Sequence, residues 1–219
     1  MKHIKLFESF DKGYLDEIVR GLWIENDDGS ISVNGDVYLS RKDLDSIPYK
    51  FKNITDSFYI AGNPKLTTLE NTPREVIGDF ACGGTSIIDL KGGPSYVGGD
   101  YHLNDCKNLV SLFGCPDIIN HELDIQGCYN LMSFDGIGEF SKYGSLRPND
   151  VFYNLFEMFK IDLFNRYQLN SSIEHFKMFN PITLKDDKIV FRKRRLLTLC
   201  EEMELIYDDV IKISKYDII

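Results

Sequence analysis

Val76-Ile77-Gly78-Asp79-Phe80-Ala81-Cys82 is followed, 21 residues on, by Val97-Gly98-Gly99-Asp100-Tyr101-His102-Leu103. The same phrase can be traced outward in both directions. Its first apolar position is filled by Val33, Ile54, Val76, Val97 and Ile119, at steps of 21, 22, 21 and 22 residues. Four more apolar ladders keep that step. They are Val37, Phe58, Phe80, Tyr101 and Leu123; Leu39, Ile60, Cys82, Leu103 and Ile125; Leu44, Leu66, Ile87, Leu109 and Leu131; and Ile47, Leu69, Leu90, Leu112 and Phe134. A fixed period of this length marks a repeat architecture, in which each unit buries its apolar face against its neighbours.

Within a unit, the alternation in Val37-Tyr38-Leu39, Phe58-Tyr59-Ile60 and Phe80-Ala81-Cys82 predicts a short strand whose outer two residues face inward. Gly35-Asp36, Gly78-Asp79 and Gly99-Asp100 stand immediately before these strands, and prolines at 48, 73, 94 and 116 close the back of the unit. Three residues after each strand come Asn63, Thr85, Cys106 and Cys128.

This pattern resembles the leucine-rich repeat, Leu-x-x-Leu-x-Leu-x-x-Asn/Cys-x-Leu. Asn63, Cys106 and Cys128 hold the Asn/Cys position of that family, which implies inward side chains that satisfy turn backbone. Leu44-Asp45-Ser46-Ile47-Pro48 matches the family's Leu-x-x-Leu-Pro phrase. Three departures stand out: the first apolar position lies four residues before the strand rather than three, the spacing after Asn63, Cys106 and Cys128 is x-x-Leu, and unit one has Lys42 where Asn is expected. The repeat wording, and the opening Lys5-Leu6-Phe7-Glu8-Ser9-Phe10, are also similar to proteins of large bacteriophages. That resemblance implies a phage-encoded chain acting in the host cytosol.

The expected fold is therefore α+β. A leucine-rich-repeat-like solenoid of about five units over residues 33–140 follows an N-terminal helix and hairpin cap over 1–32. In the cap, Tyr14–Arg20 is expected as a helix with Leu15, Ile18, Val19 and Leu22 on one side, and a hairpin turns at Asp28-Gly29, with Trp23 in the lid. A mainly helical segment, 141–219, breaks the period; it is either a large cap or a small fused domain. Asn149 is expected to cap a helix carrying Val151, Leu155, Met158, Phe159, Leu163 and Phe164, and Ser172 to cap a second one ending before Pro181. A hairpin around Asp186-Asp187 and a helix over about 195–207 complete it.

The composition narrows the function. A hydrophobic content of 43% is ample for a core, and no apolar stretch approaches bilayer length, so no membrane partner is expected. Five irregularly spaced cysteines fit a reducing compartment, and the N-terminus lacks the long apolar run of a secretory signal. The chain carries a net charge of −9, with 15 acidic and 8 basic residues in 31–140, which argues against nucleic acid as a partner. Arg192-Lys193-Arg194-Arg195 is the one basic cluster, and acids surround it.

Catalytic and metal chemistry find no pattern. His102 is expected to point outward while Cys106 points inward, so neither a Cys–His pair nor a tetrahedral site with Cys128 forms. No cofactor is expected. Function is placed instead on the outward strand columns: Tyr38, Tyr59, Ala81, His102 and Asp124 in the middle, Asp36, Asp79, Asp100 and Glu122 on one side, and Asn104 and Gln126 on the other. Exposed tyrosines beside acids suit a protein interface, although strand propensity alone also places tyrosines there. The expectation is a non-catalytic module that binds a protein partner. The alternatives are an oligomerising assembly component, or an enzyme whose site lies in 141–219.

Overall fold

The computed structural model describes residues 12–219 apart from Phe164. The N-terminal stretch that carries the phage-like opening lies outside the described residues.

The chain opens with helix α1 (Lys12–Ile18) and two long strands, β1 (Val19–Glu25) and β2 (Ile31–Tyr38). The turns of the solenoid then contribute pairs of very short strands: β3 (Phe51–Ile54) and β4 (Phe58–Tyr59), β5 (Glu75–Val76) and β6 (Phe80–Ala81), β7 (Tyr96–Val97) and β8 (Tyr101–His102). β9 (Ile118–Ile119) and β10 (Glu122–Asp124) follow, then β11 (Glu139–Phe140) and β12 (Ser145–Arg147). The fold is a β-solenoid of about five turns with a helical part at its C-terminal end.

Each turn holds two parallel strands rather than the one read from alternation. The missed strand is the first ladder itself, in which Ile54 pairs with Val76, Val76 with Val97, and Phe140 with Ile119. Two-residue strands give alternation too short a run to register. The second column runs β2-β4-β6-β8-β10-β12, with Phe58 on Phe80 and Tyr101 on Leu123. Of the five apolar ladders all members are buried except Leu44, which is half-buried on the outermost turn. Along the axis, Phe51, Phe58, Phe80 and Tyr101 form a continuous row of ring contacts, edge-to-face, stacked and edge-to-face in turn, with centroids 5.1, 5.9 and 5.2 Å apart. Aromatic pairs at such spacing add to the area term that drives burial.

The turn ladder faces inward. Asn63 Nδ2 donates to the carbonyls of Leu39 and Ile60, and its Oδ1 accepts from the backbone of Lys42 and Leu44. Thr85 donates to Cys82 O, Cys106 to Cys82 O and Cys128 to Leu103 O. Just before that ladder, Arg41, Gly62, Gly84, Asp105 and Gly127 all have φ between 56 and 71°, the left-handed conformation that closes the corner.

A solenoid must cover both of its ends. At the first, β1 pairs antiparallel with β2 along its whole length, from Val19 opposite Val37 to Glu25 opposite Ile31, so β1 covers β2 and becomes the outer strand. This hairpin begins earlier than expected. α1 stops at Ile18, Val19 and Arg20 are extended, and Leu22 faces solvent instead of packing against the cap. Leu15 and Ile18 do pack inward, and half-buried Trp23 donates its Nε1 proton to Asp16 at 2.8 Å.

The hairpin loop is tied by Asp28. Its carboxylate accepts from the Ser30 hydroxyl and backbone and pairs with Lys50 at 3.2 Å. The Ser30 hydroxyl, above all, holds the acid well below the ordinary carboxylate range. A depressed folded pKa contributes stability above the unfolded value, and that contribution is lost as pH falls. Asp28→Asn should therefore be less stable than wild type at neutral pH and lose less stability on acidification below about pH 4. Chemical denaturation at stepped pH measures both slopes, and parallel curves would contradict the assignment.

At the other end, α2 (Asp150–Phe159) lies over the last turn and α3 (Arg166–Met178) over the edge of β11. Asn149 caps α2 through Phe152 N and also donates to Cys128 O and Leu131 O, so it ties the start of the helix to the last turn. Asn170 closes the β11 edge by accepting from Phe140 N and donating to Phe140 O. Three expectations change here. α2 ends in a left-handed Lys160, so Leu163 is not on it, and Phe164 lies outside the described residues. The cap of α3 is Asn165, while Ser172 is buried inside the helix. The last expected helix is broken at Met203, and a separate short helix starts at Tyr207.

The hairpin of β13 (Ile182–Lys185) and β14 (Lys188–Phe191) turns on Asp186 and Asp187, both at positive φ. It is followed by α4 (Lys193–Glu202), α5 (Tyr207–Ile211) and β15 (Asp217–Ile218), which pairs with β14. No helix among the described residues is long and apolar enough to cross a membrane.

Candidate functional site

Strand pairing aligns the middle outward column as expected, with Tyr38 beside Tyr59, Tyr59 beside Ala81, Ala81 beside His102 and His102 beside Asp124. Tyr38 and Tyr59 stack with centroids 5.2 Å apart. Burial and a hydrogen bond to Asp36 raise the Tyr38 phenol above its ordinary pKa. His102 is partly exposed, with Nε2 4.0 Å from Asp100 Oδ2.

Arginines stand at both ends of this column. The Arg20 guanidinium covers the free face of Tyr38 at 4.5 Å. Arg147, paired in register with Asp124, lies 3.3 Å from Glu122 and 3.3 Å from Asp124. Sequence reasoning missed both. Arg20 was read as helical, whereas the hairpin sets it opposite Asp36. Arg147 comes 23 residues after Asp124, one more than the period allows. A search permitting a one-residue slip would have found it.

The flanking acids have a use that hydropathy does not encode. Asp36 accepts from Ser57 N at 2.9 Å, the Ser57 hydroxyl from Asp79 N at 3.0 Å, Asp79 from Asp100 N at 2.8 Å and Asp100 from Glu122 N at 3.0 Å. This chain of side-chain acceptors ties each turn to the next. It also explains the glycines before two of the acids: a Cβ on Gly78 would lie 2.5 Å from Ser57 Oγ and one on Gly99 2.2 Å from Asp79 Oδ1, whereas Gly35 is held by the close approach of Arg20 O. Asp79 and Asp100 therefore keep one carboxylate oxygen each for a partner, whereas the second oxygen of Asp36 accepts from the Tyr38 hydroxyl at 3.1 Å.

Asp124 was expected on the open surface and is instead buried at 5% exposure, with its carboxylate shared between Arg147 and the backbone of Gln126. Asn104 lies over Gly83, where a Cβ would meet its Oδ1 at 2.6 Å, and the Gln126 side chain is exposed.

The trio best placed to hold a metal is His102, Glu122 and Asp124, whose donor atoms lie within 4.8 Å of one another. This is not the cysteine set weighed from the sequence. Arg147 already supplies the cation for both carboxylates. Cys82, Cys106, Cys128 and Cys200 are buried and Cys115 is half-buried. Burial pushes the Cys115 and Cys128 thiols up to about 12, which leaves them protonated and poor nucleophiles, whereas hydrogen bonding with Cys82 lowers Cys106 to about 7 inside the core.

In the C-terminal part, a cleft of about 330 Å³ is lined by Phe159, Gln168, His175, Glu202 and Leu205, among others. His175 Nδ1 is engaged with Ser171 O at 2.7 Å. Arg192 and Arg195 are tied to Thr183 and Asn180 O.

Comparison with protein-family models finds no match, and neither curated proteins nor solved structures yield one.

Proposed function

We propose that this chain is a non-catalytic protein-binding module of leucine-rich-repeat-like type, encoded by a large bacteriophage and acting on a host protein in the host cytosol. The observation that carries the reading is the outward column. Stacked tyrosines, a histidine and a row of acids stand on one face, and the acids are pinned by the backbone of the adjoining turn. Preorganised aromatic side chains lose little entropy on docking and supply most of the energy at interfaces. The acidic repeat adds selectivity for a basic partner. The test is to change Tyr38, Tyr59 and His102 together to Ala. The variant should keep its circular dichroism and unfolding midpoint within a few degrees and lose its partner in a pull-down from host lysate.

A second reading, an assembly component, is favoured by Leu22 and Ile24, which are 74% and 63% exposed on the outer strand β1. Such a chain would self-associate at micromolar concentration in light scattering and be indifferent to the triple change.

A further inference from the structure

The outward column contains a gap. Ring stacking runs from Tyr38 to Tyr59 and stops, because the next position is Ala81, buried at the floor between Tyr59 and His102. Beside it Ala61 has only a methyl, while Asn104 reaches over Gly83 and closes that end of the notch. Rungs of a sheet are about 4.8 Å apart, so the backbones that carry Tyr59 and His102 lie two rungs, about 9.6 Å, apart with the Ala81 methyl between them. Two contacts like the 4.5 Å one between the Arg20 guanidinium and the Tyr38 ring fill that space with one planar cation.

The surroundings select for such a cation. Asp79 and Asp100 lie on the same face, each with one oxygen committed to the next turn and a second available. The chain shows the chemistry at both ends of the same column, where Arg20 stacks on tyrosine and Arg147 spans two carboxylates. We propose that the Ala81 notch is an arginine-binding site, which receives a guanidinium from a partner protein between Tyr59 and His102 and pairs it with Asp79 and Asp100. A guanidinium is planar, stacks on rings and forks onto carboxylates; an ammonium does only the last, as a point charge. This rests on the protein-binding reading above and names the side chain that the partner must present.

The probe is the blocked pentapeptide Gly-Gly-Arg-Gly-Gly, titrated into the full chain labelled with ¹³C in alanine methyls and ¹⁵N in the backbone. The Ala81 methyl and the His102 amide should shift saturably. The lysine counterpart should bind about tenfold more weakly, and the citrulline one, which has the same shape without the charge, should not bind. Ala81→Leu, which fills the notch, should abolish the His102 shift, and Asp79→Asn should weaken it severalfold while keeping the acceptor for Asp100 N. If Ala81→Leu does not fold, Tyr59→Leu removes the stacking wall instead and should have the same effect. Equal binding of the arginine and lysine peptides, or shifts that survive both notch variants, would overturn the proposal and leave only general attraction to an acidic surface. If the peptide fails while the triple alanine variant still loses its partner, the arginine site alone is wrong. If the triple variant keeps its partner, the binding reading itself is wrong.

Discussion

Asn63→Leu is expected to destabilise the fold by about 3–5 kcal/mol, the larger part from backbone groups left without partners rather than from lost packing. Asn63 is fully buried and uses its amide completely, with two protons donated and two hydrogen bonds accepted, across two turns of the solenoid. Leucine matches the volume but strands Leu39 O, Ile60 O, Lys42 N and Leu44 N. A buried donor or acceptor left unmade costs about 1–3 kcal/mol, and the lower end applies where water can reach, as at the exposed Lys42. Asn63→Asp should be no better, because a carboxylate cannot donate to the two carbonyls and brings a charge into the core. Asn63→Cys should be the mildest of the three, since Cys106 and Cys128 fill the same place with a thiol donating to a strand carbonyl. Urea unfolding of the three variants gives the order directly. A loss under about 1 kcal/mol for Asn63→Leu would mean that water replaces the amide.

That ladder was legible in the sequence because packing against the next turn repeats, and a repeat needs no knowledge of the third dimension. The same holds for the inward columns through Phe58, Phe80 and Tyr101. What escaped was whatever departs from the period or is written in hydrogen bonds. Val19 and Arg20 follow a helical run and carry no turn signal, so only pairing with β2 reveals that the chain is already extended at Val19. Arg147 slipped out of register by one residue. The acids before each strand were read as surface charge, yet Asp36, Asp79 and Asp100 each accept a backbone proton from the following turn. Hydropathy cannot separate an acid that faces a partner from one that closes its own backbone. Ala81 is the converse case: its meaning lies in the side chain it lacks, and only its neighbours Tyr59 and His102 make the gap visible. In 141–219 the periodicity found apolar faces but not their ends, because left-handed Lys160 and Glu204 stop helices at residues with no stop signal of their own.

Phe134→Ala is the second large expected effect, and it tests how the solenoid is joined to its C-terminal part. Phe134 is the last member of its ladder, and its ring lies 3.9 Å from Phe152, 5.7 Å from Phe156 and 6.2 Å from Phe176. It thus packs at once on its own turn, on α2 and on α3. Truncating a buried Phe to Ala costs about 3–5 kcal/mol through lost transfer energy and the cavity left behind. Leu112→Ala, one turn earlier on the same ladder, removes a buried side chain from the solenoid interior alone and should cost about 2–5 kcal/mol. The two should differ in kind. Stability in a stacked array is a sum of turns and nearest-neighbour interfaces, so weakening the last interface uncouples what lies beyond it. Phe134→Ala should therefore unfold in two steps, with amides of α2 and α3 exchanging hydrogen faster than those of β6 and β8, whereas Leu112→Ala should keep one step with a lower midpoint. Uniform acceleration of exchange throughout Phe134→Ala would instead make solenoid and helices a single cooperative unit, with Phe134 no more of a joint than any other core residue.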